Sequence, residues 1–283
     1  MPKLVEVQAR KLAWSFAGTR KHWYAGSPAL THLLNAYTLL VPDNEKYYIR
    51  TLSHCVGRIR SPRLKATLHA FMRQESLHGI AHQKYWQTLR EHGLAFDGFV
   101  KGVNVLLYRL CEPLQPLRLR VSIVAAIEYL NAIWGHIFLS DDLLHDADDE
   151  LRQLFYWHFA EEIEHKAVAH DVLSEVYPGY WTRITGAAIA MPMFYLLMLI
   201  GLAYLYRADK DSRGRGCLGD LRRLLFTQGF AGKNLRHIRR YLRRDFQPWD
   251  LDDYALAQRV LREAAAAPVS PAQPEALALE RRA

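Results

Sequence analysis

The chain has 283 residues, half of them apolar, with 37 Lys+Arg against 29 Asp+Glu, 13 His and 3 Cys. That apolar share supplies a substantial core in one large or two small domains and excludes wholesale disorder. Cys55, Cys111 and Cys217 are too few and too far apart for a disulfide framework or a short metal or redox spacing. The first residues carry no continuous apolar run of a signal peptide, so a reducing, cytoplasmic setting is expected.

In chain order, the first 180 residues show helical periodicity and no alternating strand pattern, which predicts an all-α body. A helical stretch from Pro28 to Leu40 precedes a helix that starts near Pro42-Asp43 and runs to about Gly57. Ser61-Pro62, an N-cap followed by proline at the first helical position, opens a long helix that closes at Gly93. Val121 to about Leu144 reads as a third helix. The acidic cluster Asp146, Asp148, Asp149 and Glu150 suits the positive end of a fourth, which stops at Tyr177-Pro178-Gly179.

Beyond it, the 23 residues Ile184–Tyr206 carry no charge, a length that would span a bilayer. Arg207 to Arg244 then holds twelve Lys+Arg and three Asp, a local balance of +9, so the rest of a chain of net charge +8 sums to about −1. Residues 264–283 are Ala/Pro-rich and predict a disordered tail. The expected organisation is a bundle over 1–180, a hydrophobic helical segment over 181–206, a basic helical segment over 207–263 packed on the bundle, and the tail. A simple transmembrane span is disfavoured by Gly186, Pro192 and Gly201 within it, and because it would separate the body from the basic segment. Peripheral or monotopic attachment at the inner membrane face is expected instead, with residues 184–206 in the interface and 207–244 on anionic lipid. The alternative is a helix packed on the bundle or on a second copy in a homodimer. Nucleic acid is not favoured, because the basic stretch lacks a recognised binding module.

The chemistry lies where the apolar faces run through polar residues. Glu75 shares a helix face with Leu68, Phe71, His78, His82, Tyr85 and Leu89; Glu162 shares one with Leu154, Phe155, His158, His165 and Leu173. Glu128 sits among Val121, Val124, Ala132 and Leu139, and Glu45 precedes Tyr48, Ile49 and Leu52. Four carboxylates aimed at one core require protonation, pairing or a cation. The set Glu45, Glu75-x-x-His78, Glu128, Glu162-x-x-His165 is the ligand plan of four-helix carboxylate proteins that hold two metal ions. Positions i and i+3 stack on one face, so a glutamate can bridge two ions while its histidine caps one. Oxygen-rich sets with one imidazole per ion favour iron or manganese, with zinc left open. Glu161, four residues before His165, is an alternative to Glu162. His82, His136 and His158 are candidates for orienting ligands or supplying an extra one.

At these residues the chain resembles the predicted metal-dependent hydrolases, a family with a ferritin-like helical fold. The resemblance covers roughly residues 33–250 and rests on PDNEKYYIRTL, RQESLHGIAH, EYLNAIWGH, EEIEHKAVAHDV and the late DFQPWDLDD. Asn44 stands where the family usually has glycine, and Gln247 where it usually has histidine. The resemblance implies a ferritin-like four-helix bundle with additional C-terminal helices and a dinuclear site. Two chemistries fit: oxidation of a hydrophobic, lipid-like substrate with dioxygen, which the ligand set favours slightly, and hydrolysis by a metal-activated water, which the family label favours. A non-enzymatic metal-binding protein is the third reading. No Ser-His-Asp set, nucleophile elbow or phosphate loop competes with them.

Overall fold

A computed structural model describes residues 6–212 and 217–266. Among them the regular elements are all helical, with an isolated bridge between Tyr24 and Ala147 and no strand. Helices α1 (Pro28–Ser53), α2 (Pro62–Glu91), α3 (Asp97–Val103), α4 (Leu117–Ser140), α5 (Asp149–His165), α6 (Val168–Val176), α7 (Tyr180–Ala208), α8 (Cys217–Arg222), α9 (Phe230–Tyr241) and α10 (Tyr254–Ala266) follow in order. A π-helical stretch, Asn104–Cys111, continues α3. The long helices α1, α2, α4 and α5 form the central bundle; α7 packs along α1 and α4, α9 on α4, and α10 on α5.

The same punctuation opens α1 and α2. Ser27 and Ser61 each accept a hydrogen bond from a backbone N–H of the first turn, Leu30 (3.3 Å) and Leu64 (3.2 Å), ahead of a proline that has no N–H to satisfy. Sequence reasoning divides α1 at Pro42, yet the helix runs through it. A proline there cannot donate to the carbonyl four residues back, which is Thr38. That carbonyl accepts instead from the Trp86 indole N–H on α2 at 3.2 Å. The neighbouring helix repairs the break, and Glu45 stays in register with Tyr37 and Thr38.

The fourth expected helix, in contrast, is broken into α5 and α6 around Lys166. Lys166 is 1 % exposed, and its ammonium donates to the Leu251 carbonyl at 2.6 Å, pairs with Asp253 and lies over the Trp249 ring. Burying an ammonium demands partners, and chain leaving the ideal helix after His165 accommodates them. Similarly, buried Arg183 at the start of α7 donates to the carbonyls of Tyr241 and Arg243. Two buried cations thus clamp segment 241–253 onto the bundle.

The apolar segment 184–206 is neither fully buried nor free. Its stripe Gly186, Ala190, Phe194, Leu197, Gly201 and Leu205 is buried on α1 and α4, while Ile189, Leu196, Leu199, Ile200 and Tyr204 are exposed. Contact with α4 is close enough that a Cβ on Gly186 would sit 2.1 Å from Ser122 Oγ. α10 extends to Ala266, and the remainder of the expected tail lies outside the described residues.

Candidate metal centre

Each bundle helix delivers one glutamate to a common point, because each carries it within its core-facing stripe. Glu45, Glu75, His78, Glu128, Glu162 and His165 are all at most 3 % exposed. His78 Nδ1 lies 3.6 Å from Glu45, 3.7 Å from Glu75 and 3.9 Å from Glu162. His165 Nε2 lies 3.3 Å from Glu75, 3.3 Å from Glu128 and 3.2 Å from Glu162. Two half-sites result: Glu45 with His78, and Glu128 with His165. Glu75 and Glu162 stand between them, Glu162 turning Oε1 to His78 and Oε2 to His165.

His158 joins the first half-site. Its Nε2 is 2.9 Å from Glu162 Oε1, and it falls within one cluster with Glu45 and His78. His82 stands one step further out, its Nε2 3.0 Å from His158 Nδ1 and its Nδ1 3.1 Å from the Thr38 hydroxyl. His136 is elsewhere: it faces Asp253 at 3.4 Å and meets the His237 ring of α9 edge-on, so it takes no part in the centre. It lies eight residues beyond Glu128, more than two turns along α4, which carries it out of the ligand plane.

The donor atoms fit a cation. Both carboxylate oxygens of Glu45, Glu75 and Glu128, Glu162 Oε1 and His78 Nδ1 are buried with no aligned hydrogen-bond partner. Such a concentration of buried unpaired acceptors is costly in a protein interior. Gly79 leaves the room for one of them: a Cβ there would lie 2.9 Å from Glu45 Oε2. Electrostatics without an ion tell the same story. Burial, then neighbouring carboxylates, raise the Glu45 and Glu75 pKa values well above normal and Glu128 to about 7. Burial would lower His165, but Glu162 and Glu128 raise it to about 10, which favours its imidazolium form. Burial would raise Glu162, yet His165 and His158 hold it below its usual range. Burial drives His78 down to about 3 and His158 to about 4, leaving neutral imidazoles with lone pairs to offer.

Sequence reasoning weighed Glu161 as a ligand and passed over Gln74 and Arg10; together these three organise the histidines. Glu161 Oε2 is 3.0 Å from His78 Nε2, the nitrogen facing away from the centre. Gln74 Oε1 is 2.9 Å from His165 Nδ1, likewise the outward nitrogen. The residue just before each bridging glutamate therefore crosses the bundle to hold the other motif's histidine. Arg10, on the N-terminal segment, reaches Glu161 at 3.0 Å and Glu164 at 2.9 Å, and Glu164 accepts from Gln74 Nε2 at 2.7 Å. Gln74 thereby has its oxygen turned to His165, which leaves Nε2 facing the carboxylates. One guanidinium fixes both histidines through their outer partners. Arg10 lies about 60 residues from the nearest of these groups along the chain, where no local pattern could reveal it.

A family model described as predicted metal-dependent hydrolase matches residues 8–252. No curated protein and no solved structure matches the chain.

Proposed function

The chain belongs to the predicted metal-dependent hydrolase family, and from that premise we propose that it is an enzyme built around two transition-metal ions, iron in preference to manganese or zinc. Glu45, His78 and His158 would hold one ion, Glu128 and His165 the other, and Glu75 and Glu162 both, in the manner of ferritin-like carboxylate proteins. The observation that carries this reading is the convergence, between four helices, of eight buried donor atoms that make no aligned hydrogen bond among the described residues. Bound there, reduced ions would supply electrons to dioxygen, or as Lewis acids would lower the pKa of a water.

Oxidation of an apolar substrate is the favoured reaction. One oxygen atom enters a C–H bond and the other leaves as water, with two electrons and two protons from an external donor. The chain's own residues orient and exclude. Glu161 and Gln74 fix the histidine rings, and His82, itself held by the Thr38 hydroxyl, meets the outer nitrogen of His158 and leaves Nε2 for the ion. Hydrolysis is the second reading, favoured by the family's description. Metal analysis with an oxygen electrode separates the two: two irons per chain and iron-dependent oxygen uptake are expected. Zinc alone with ester or phosphoester cleavage and no oxygen uptake would establish the second reading.

We further propose in-plane attachment to the inner face of an anionic membrane. Its support is the outward apolar row of α7 beside exposed Leu106 and Leu110, in a chain whose excess base lies at 207–244. Cosedimentation with phosphatidylserine vesicles and not with phosphatidylcholine vesicles is expected. A dimer in solution that ignores both would mean that a second copy covers the row.

A further inference from the structure

An apolar cavity of about 170 Å³ lies between α1, the π-helical stretch, α4 and α7. Leu107, Ile127, Ala190, Met193 and Leu197 line it, and among the described residues no charged side chain does. Two pairs of its polar side chains bond to each other: Tyr47 OH donates to Gln115 Oε1 at 3.1 Å, and Tyr108 OH to Asn44 Oδ1. Ile189, 44 % exposed, stands at its edge on α7. Inward, Leu40, Asn44, Tyr48 and Phe194 form a wall shared with a second void of about 10 Å³, lined also by Tyr37, Glu45 and Asn131. That inner void has room for about one water-sized molecule, and Glu45 belongs to the metal centre.

We infer that this cavity is the substrate site of the centre, taking an uncharged apolar molecule, or the apolar end of a larger one, about the size of a benzene ring. The inference rests on the dinuclear reading for its chemistry and on three independent features for its ligand class. The size is close to that of dry protein cavities of about 150 Å³ that bind benzene. The lining offers no partner to a charge, so a charged ligand would lose its hydration without return. And its inner wall borders the centre: the shared residues and the inner void set that end against Glu45, with space there for a small co-reactant and none for the substrate's bulk.

Fluorobenzene, followed by ¹⁹F NMR, is a suitable probe, with 4-fluorobenzoate as its charged counterpart. The full-length metal-free protein is expected to bind fluorobenzene saturably and 4-fluorobenzoate at least ten-fold more weakly. Ala190→Phe, which fills the cavity, is expected to weaken fluorobenzene at least ten-fold; Ile189→Trp, at an exposed edge position that tolerates bulk, supplies the same test should the first variant fail to fold. In protein loaded with manganese(II), the bound probe's signal is expected to broaden. Equal binding of the two probes, indifference to both variants, or an unbroadened signal in metal-loaded protein would overturn the assignment. A protein that binds fluorobenzene with these dependences but takes up no metal keeps the cavity's ligand class and removes the dinuclear reading, so the two claims fail separately.

Discussion

Two buried groups of histidines and carboxylates occupy this chain, and they answer the same electrostatic problem in opposite ways. In one, Asp209 at the end of α7 meets His22 at 2.6 Å, His32 at 3.0 Å, Lys21 at 2.6 Å and the Ser212 hydroxyl at 2.6 Å. Its donor atoms lie close enough together to hold an ion, yet its carboxylate is already saturated, and an ammonium occupies the place a cation would take. Burial would raise the Asp209 pKa, but those partners hold it below the usual carboxylate range. In the other group four carboxylates converge, and most of their oxygens accept no aligned hydrogen bond among the described residues. Proximity of ligand types is common to both; unpaired, buried donors distinguish the centre. The first group ties the N-terminal segment to α7, and the second presents donors that could hold a cation.

The largest effect that would sharpen this contrast is at a bridging residue. Glu162→Ala removes donors from both half-sites and is expected to lower metal content from two ions per chain to less than one, with activity falling about a thousand-fold or more; unchanged metal content would break the comparison. Removing an outer partner is expected to act more gently. Gln74→Ala and Glu161→Ala should each weaken metal binding about 10- to 100-fold, the usual cost of releasing a ligating histidine. Competition titration with a chelator reads this directly.

Stability should respond differently at the two groups. Asp209→Asn is expected to destabilise the protein by about 2 kcal/mol, less than a fully buried pair costs because Lys21 is partly exposed. Glu75→Gln is expected to leave the metal-free protein about as stable, since burial and the neighbouring carboxylates already hold Glu75 in its neutral form and the amide replaces one neutral group by another. Urea melts compare the two. Their pH dependences are opposed. The depressed Asp209 contributes stability that is present above about pH 4 and is lost as pH falls. Glu128, raised to about 7, favours the folded metal-free protein when protonated, a contribution lost as pH rises from about 4.5 to 7. A smaller effect is expected from Gly79→Ala. The new Cβ displaces only the mobile end of Glu45, so folding is kept and helix propensity improves, while affinity of the Glu45 half-site falls about ten-fold. Isothermal titration resolves the weakened half.

The convergent glutamates were legible because each sits inside an apolar stripe, where burial demands protonation, pairing or a cation. Glu75 and His78, or Glu162 and His165, announce themselves by spacing. What orients them was not legible. Gln74 and Glu161 read as ordinary neighbours, and Arg10 comes from a distant segment that meets them only after folding. His158 was readable as a candidate, but its place between Glu162 and His82 depends on which way α5 turns its ring. Helix boundaries failed for related reasons. Pro42 is a stop signal in sequence, answered in space by Trp86, and the break at Lys166 is imposed by Asp253 and Leu251, far along the chain.

The most direct test is a crystal structure of iron-loaded protein with anomalous data at the iron edge. Two ions about 3.5 to 4 Å apart, bracketed by Glu75 and Glu162 and capped by His78 and His165, are the expected result. A single ion, ions at His22, His32 and Asp209, or no ordered metal between the four helices would contradict the dinuclear centre.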